Sequence, residues 1–374
     1  MISFNKPGVV GKELEYIQEA ILSGQISGNG VFSNRCQSLL EQLFDVPKVL
    51  LTHSGTAALE MAATLAGIQP GDEVIMPSYT FVTTANAFVV HGAKIVFVDV
   101  YPDTLNLNED LIEAAITPKT KAIVPVHYAG VSCNMDKIMT IAEHHQLTVI
   151  EDAAHAVSAS YKEKPLGTIG HFGCFSFHET KNLSCGEGGA ILINAPDYIR
   201  RAEIIWEKGT NRSEFFRGEV DKYSWVDIGS SYQPSELQAA YLYAHLEKAE
   251  DIRQDRLACW NNYYEAFKHL DSSKVLLPVI PNDCQHNAHL FHLKTSYHAQ
   301  QVALIKHLQD HNIQAVFHYV PLHTSEMGQK HGRFTGKDQF TTLASETIVR
   351  LPLYYQLEQS AQAQIIQAVL AFYE

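Results

Sequence analysis

A chain of 374 residues, 46% hydrophobic and 18% charged, carries enough apolar material for a large buried core and is long enough for two domains. Its formal net charge of −13 argues against nucleic acid as a partner, because such binding needs a basic face; a small anion held by local groups remains compatible with it. No apolar run approaches a membrane span, and residues 1–25 lack a basic flank followed by an apolar stretch, so a cytoplasmic protein without a membrane partner is the expectation.

From Val49 to about Asn194, short β-branched apolar runs alternate with helical stretches. Strands are expected at Val49–Thr52, Glu73–Pro77, Lys94–Asp99, Ala122–His127, Thr148–Asp152, Gly173–His178 and Ala190–Ile193. Helices are expected at Ala57–Leu65, Thr83–His91, Asn108–Ile116 and Met135–His145, and Pro70-Gly71-Asp72 marks a turn just before a strand. This order predicts an α/β fold, with a largely parallel sheet covered by helices on both faces. Pro234 and Ser235 open a longer helical pattern, in which Ser235 and Gln238 match a capping box. It runs, with a break, toward Phe267 and leads into a smaller α+β region with strands at Leu290–Leu293 and Ala315–Tyr319. The expected division is a large domain over 1–249 and a small C-terminal domain over 250–374. The cysteines Cys36, Cys133, Cys174, Cys185, Cys259 and Cys284 form no CxxC pair and are expected as reduced thiols. No HExxH or comparable spacing occurs, so no metal site is expected.

In sheets of this kind ligands gather at the carboxyl ends of the strands, and three informative segments fall there. Thr52-His53-Ser54-Gly55-Thr56-Ala57-Ala58 leaves a strand and enters a helix; exposed backbone N–H groups and hydroxyls there suit a phosphate. A plain helix cap is the alternative, and a missing Walker lysine excludes a nucleotide-hydrolysing P-loop. Val149-Ile150-Glu151-Asp152-Ala153-Ala154-His155 ends an apolar strand in two carboxylates, at least one of which is expected in the crevice. A carboxylate there can keep a pyridinium nitrogen protonated, which makes the ring an electron sink; a helix cap or a buried structural pair is the alternative. Phe175-Ser176-Phe177-His178-Glu179-Thr180-Lys181-Asn182, followed by Gly186-Glu187-Gly188-Gly189, places a lysine between a strand and glycines. Its amine would be nucleophilic if burial or nearby positive charge lowered its pKa; a solvated lysine is the alternative. Each signal alone is weak, and their order along the chain is the informative feature. Gly167–Gly173 is glycine-rich without the dinucleotide pattern, and His144-His145 sits on a polar helix face.

Together these segments resemble the DegT/DnrJ/EryC1/StrS family of nucleotide-sugar aminotransferases, from Phe4 and Gly24–Gly30 through Pro352. The most diagnostic stretches are Ser54–Ala58, Pro77–Asn86, Glu151–His155, Ser176–Asn182 with Gly186–Gly189, and His318–His323. The resemblance implies the aspartate-aminotransferase-like fold type I of pyridoxal-phosphate enzymes. It also implies pyridoxal 5′-phosphate as cofactor, bonded covalently to Lys181. It places Asp152 at the pyridine nitrogen, Phe81 stacked on the ring and His155 beside it, and Gly55, Thr56, Ala57 and Ser176 around the phosphate. His323 falls at a position near the sugar nucleotide, and Tyr319 and Arg212 are further substrate-side candidates. A homodimer is implied, in which many relatives reach the partner's cofactor phosphate with an asparagine; here that position is Ser231. The runs Glu207–Ser213 and Phe215–Gly218 resemble members that move an amino group from L-glutamate to C4 of dTDP-4-oxo-6-deoxy-D-glucose. The product would be dTDP-4-amino-4,6-dideoxy-D-galactose, for surface glycans. Alternatives are amination at C3, an equatorial C4 amine, a UDP sugar, or a non-catalytic binding protein. Sugar 3-dehydratases of the family carry histidine at the lysine position, and Lys181 argues against them.

Overall fold

The computed structural model describes all residues 1–374. Its central feature is an eight-stranded sheet built from β1 (Lys48–Thr52), β2 (Glu73–Pro77), β3 (Lys94–Val98), β4 (Thr120–Ile123), β5 (Thr148–Asp152), β6 (Phe172–Ser176), β7 (Gly189–Ile193) and a short β8 (Gly332–Phe334). The spatial order is β1-β7-β6-β5-β4-β2-β3-β8. Only β7 runs antiparallel to its neighbours, β1 and β6; the other pairings are parallel.

Alternation along these strands explains why helices cover both faces. Val49 and Leu51 of β1, Val96 and Val98 of β3, and Phe175 of β6 join one buried cluster. Leu50, Ile95, Phe97 and Cys174 join a second cluster on the opposite side. A strand apolar at both parities has no solvent face. The helices Val31–Phe44, Met135–His145 and Glu236–Glu247 contribute to the first cluster, and Gly55–Leu65 and Ile199–Trp206 to the second. A third cluster of 19 buried residues lies entirely between Cys259 and Tyr373. It is formed over a small sheet, Val275–Leu276, Phe291–Thr295 and Ile348–Leu351, by the helices Ala249–Phe267, His298–Asp310 and Gln359–Tyr373. No helix is long and apolar enough to cross a membrane.

The turn at Pro70-Gly71-Asp72 forms as expected, with Gly71 at φ +91°, a left-handed conformation that glycine adopts freely. The Ser235 capping box also forms, and the long helix breaks at Lys248. Three expectations need correction. Strand β4 ends at Ile123 because Pro125 has no N–H for the ladder; beyond it only an isolated Val126–Asp152 bridge persists. Asn108–Ile116 is a 3₁₀ turn, Glu109–Leu111, followed by one helical turn, Ile112–Ala115, not one helix. Ala315–Tyr319 is not a strand: its ladder contact is a single bridge from Val316 to Arg350. Its outer end instead presents His318 and Tyr319 to a cleft.

Candidate active site

The cleft, of about 610 Å³, lies at the carboxyl ends of the parallel strands, with one wall from the C-terminal region. Ser54, Gly55 and Thr56 follow β1, Thr80 and Phe81 follow β2, Asp152 ends β5, Ser176 ends β6, and Lys181 follows β6; all line it, as do His155 and Tyr319. The three separate signals in the sequence thus converge on one space.

At the first helix start, the Ser54 hydroxyl accepts from the Ala57 N–H at 3.1 Å, which caps Gly55–Leu65. The Ala57 N–H is therefore spent on the cap, and Ala57 does not line the cleft. Gly55 packs so tightly on β6 that an added Cβ would stand 2.9 Å from Ser176 Cβ. This close approach brings the helix N-terminus and the Ser176 hydroxyl together, an arrangement suited to a dianion.

The two carboxylates of β5 have opposite fates. Glu151 is fully buried and accepts from the backbone N–H groups of Gly167 at 2.8 Å, Ile169 at 2.7 Å and Gly170 at 2.6 Å. It also pairs with His127 Nε2 at 2.8 Å. The glycine-rich run thus serves Glu151 inside the protein. Asp152 faces the cleft. The Thr84 hydroxyl donates to its Oδ2 at 2.7 Å, the Ala154 N–H to its Oδ1 at 3.2 Å, and Thr84 bonds Thr80 at 2.8 Å. Such donors hold a carboxylate in one orientation.

Lys181 rides on the loop between β6 and β7, closed by backbone bonds Phe177 N–H to Gly188 O at 2.8 Å and Glu179 N–H to Gly186 O at 2.8 Å. Asn182 pins it further, donating to Asn287 O at 2.9 Å and bonding His289 Nδ1 at 2.9 Å. Burial lowers the Lys181 amine to about 8; Asp152 opposes that drop and Arg350 adds to it. His155 stacks on His289 with ring centroids 4.1 Å apart. Burial, with Lys181 nearby, pushes both imidazoles well below their ordinary value, so they stay neutral at physiological pH.

Besides Ala57, three sequence candidates are not brought to this cleft. His323 is held by Ser78 Oγ at 2.7 Å and Asp338 at 3.2 Å. Arg212 lines a separate polar cavity of about 420 Å³ with Glu207 and Lys48, and its guanidinium lies 5.0 Å from the Phe216 ring centroid. Ser231 is exposed and bridges Glu207. Conversely, Thr84, His289, His318 and Arg350 were not singled out in the sequence. Thr84 had a signal, a second threonine hydroxyl just past Thr80 at the turn from strand to helix. Arg350 had one too, as the lone charge in the apolar strand Ile348–Leu351.

The chain belongs to the DegT/DnrJ/EryC1/StrS aminotransferase family, whose model matches residues 9–370. It is 31% identical to the spore coat polysaccharide biosynthesis protein SpsC of Bacillus subtilis, over 98% of this chain and 96% of that protein. It is 35% identical to the uncharacterized protein MJ1066 of Methanocaldococcus jannaschii, over 85% and 83%. Among solved structures, DesV of S. venezuelae in complex with a ketimine intermediate superposes with a TM-score of 0.88 at 29% identity, over 97% of this chain and 94% of that one. The Brucella abortus DegT/DnrJ/EryC1/StrS aminotransferase superposes with a TM-score of 0.89 at 29% identity, over 97% and 95%. The fold is therefore the aspartate-aminotransferase-like fold type I, and the cofactor is pyridoxal 5′-phosphate. The residues present fit that group: a helix N-terminus beside a serine for a phosphate, a buried oriented carboxylate, and a lysine whose amine is depressed toward neutrality.

Proposed function

We propose that this protein is a nucleotide-sugar aminotransferase. In this reading it carries an amino group from L-glutamate to C4 of dTDP-4-oxo-6-deoxy-D-glucose and forms dTDP-4-amino-4,6-dideoxy-D-galactose for a surface glycan. The observation that carries the catalytic part is the meeting of Lys181, Asp152 and the Ser54–Thr56/Ser176 cradle in one cleft. The sugar and the glycan are supported by the family, by the name of SpsC and by the runs Glu207–Ser213 and Phe215–Gly218.

Bound pyridoxal phosphate supplies an electron sink for charge developing on the substrate carbon. Lys181 would hold it covalently, and Nζ of Lys181, once released, moves the proton off the donor carbon and onto the acceptor carbon. A pKa near 8 suits an amine that must do both. Asp152, oriented by Thr84, would face the ring nitrogen and keep it protonated. Phe81 and His155 would bound the ring. Gly55, Thr56 and Ser176 would hold the phosphate, and Tyr319 would border the substrate.

The protein would act as a homodimer. Trp225 is 80% exposed, and Phe216, Val226 and Ile228 are also exposed large apolar residues; such clustering near one loop favours burial against a second copy. Ser231 and Arg212 lie on that same stretch and would serve across the interface, Ser231 with a shorter reach than asparagine. The chain would divide into its two domains at 249/250, a reading supported by the helix break at Lys248.

The test is turnover of dTDP-4-oxo-6-deoxy-D-glucose with L-glutamate, with the product assigned by NMR. An axial 4-amine is expected. An equatorial amine, a 3-amine or turnover of UDP sugars alone would each move the assignment to a sister activity, and absence of any amino sugar would overturn it.

A further inference from the structure

His289 reaches the cleft from the C-terminal region, and the polar groups behind it are all committed. Asn287 donates from Nδ2 to the carbonyls of His155 and Val157, both at 2.8 Å, which leaves its Oδ1 to accept the His289 N–H at 3.1 Å. Arg256 donates to the His289 carbonyl at 2.7 Å. Asn182, the residue after Lys181, donates from Nδ2 to the Asn287 carbonyl, so its Oδ1 faces His289 Nδ1 at 2.9 Å. Reversing either amide would set an oxygen against a carbonyl oxygen. Nδ1 of His289 therefore carries the ring proton, and the neutral ring keeps a bare lone pair at Nε2. Nε2 has no partner in the chain, yet unlike His155 Nδ1 it is not sealed in the interior, and His289 lines the cleft. Stacking on His155, with 26° between the ring planes, holds the imidazole still. The charged or titratable groups around it are Lys181, Arg256, Arg350 and His318, with His155 on its face. After burial itself, Lys181 acts on this ring most strongly.

We propose that His289 is a positioning residue for Lys181: its Nε2 accepts a hydrogen bond from Nζ whenever that amine is free of the cofactor. The inference rests on the aminotransferase reading of the cleft and deepens it at the proton transfer. A neutral amine has two N–H bonds and one lone pair. Fixing one N–H on a rigid acceptor restricts the rotation of the amine, so the lone pair that takes the substrate proton keeps one direction. The neutrality of the acceptor matters. A carboxylate in its place would hold the proton on the amine as an ion pair, whereas a neutral imidazole orients Nζ and lets it give the proton up again. Asn182 ties the two residues together, because the side chain that pins the Lys181 loop also sets the tautomer of His289. His155 is not set in this way: its Nδ1 has no partner and its Nε2 lies 3.5 Å from Tyr319 Oη.

The test has a spectroscopic arm and a kinetic arm. In nitrogen-15 NMR of the histidines in the cofactor-free full chain, His289 is assigned by its absence in His289→Gln or His289→Asn. It should carry its proton on Nδ1 and none on Nε2 at neutral and alkaline pH. The Nε2 signal should move through about pH 8, where the Lys181 amine titrates, and stay still in Lys181→Met. In the kinetic arm, asparagine keeps a donor near the Nδ1 position and loses the cleft acceptor, whereas glutamine keeps an acceptor near the Nε2 position and loses the bond to Asn182. With cofactor bound, H289N should slow both half-reactions by about 10-fold, the weight of one net hydrogen bond. Its KM for L-glutamate should not change, and H289Q should lose less. A purely structural histidine predicts the reverse order. A proton on Nε2, an Nε2 signal indifferent to Lys181, or H289N rates equal to wild type would overturn the proposal. If glutamate does not convert the cofactor in the wild type, the aminotransferase reading falls, while the NMR arm still decides His289.

Discussion

Replacing Lys181 with methionine should stabilise the cofactor-free protein at neutral pH, although it removes the residue proposed to carry catalysis. Burial takes the folded-state pKa from 10.5 to about 8, while the unfolded chain keeps the ordinary value. Between these two pH values the unfolded chain holds a proton that the folded chain has released, so stability due to this residue rises with pH across the window. Below pH 8 the burial penalty is at full strength; above pH 10.5 it is gone. At about 1.4 kcal/mol per pH unit the drop is worth about 3.5 kcal/mol, and the partial exposure of the side chain reduces this to about 2 kcal/mol. Apo Lys181→Met should therefore exceed apo wild type by about 2 kcal/mol at pH 7, and the gap should close by pH 10.5. Urea unfolding of both proteins at stepped pH measures it. The buried tyrosines and cysteines that titrate in the same range cancel in the difference. A gap independent of pH, or a more stable wild type at pH 7, would refute the claim that enclosure holds this amine down.

Other substitutions probe the supports of the site. Thr84→Val removes the 2.7 Å bond to Asp152 Oδ2 and should cost about 2 kcal/mol in stability; the glutamate half-reaction should slow with it. Thr84→Ser should restore both, as read by stopped-flow absorbance and urea midpoints. Gly55→Ala would drive a Cβ to 2.9 Å from Ser176 Cβ and part the helix from β6. Cofactor affinity in a fluorescence titration should fall by about 10-fold, and an unchanged Kd would remove the cradle from the account. Glu151→Gln offers one acceptor oxygen where three N–H groups and His127 now converge. It should lower stability by about 3 kcal/mol or prevent folding, measured by the urea midpoint or soluble yield.

The legible parts of this molecule were local. Strand parity and turn residues placed seven strands of the large sheet to within a few residues, except where Pro125 cut β4 short. The converging segments Ser54–Thr56, Asp152 and Ser176–Lys181 were legible because each sits at the end of its own strand. The parity of β5 said that Glu151 and Asp152 must point apart. It did not say which faced inward, because the Gly167–Gly170 donors that claim Glu151 lie on another segment. The cleft wall formed by His289, His318 and Arg350 comes from more than 100 residues downstream of Lys181 and depends on long-range packing. His323 and Arg212 stood out by position in a family pattern, yet their side chains are engaged elsewhere in this chain.

The central claim is that Lys181 makes this chain an aminotransferase, and one spectrum tests it most directly. Purified protein loaded with pyridoxal phosphate is mixed with L-glutamate, and the cofactor's visible band is followed. The account predicts conversion to the pyridoxamine phosphate form with release of 2-oxoglutarate, and no steady-state turnover in Lys181→Ala. A wild type whose band is unchanged by glutamate, or a Lys181→Ala variant that turns over at the wild-type rate, would contradict it.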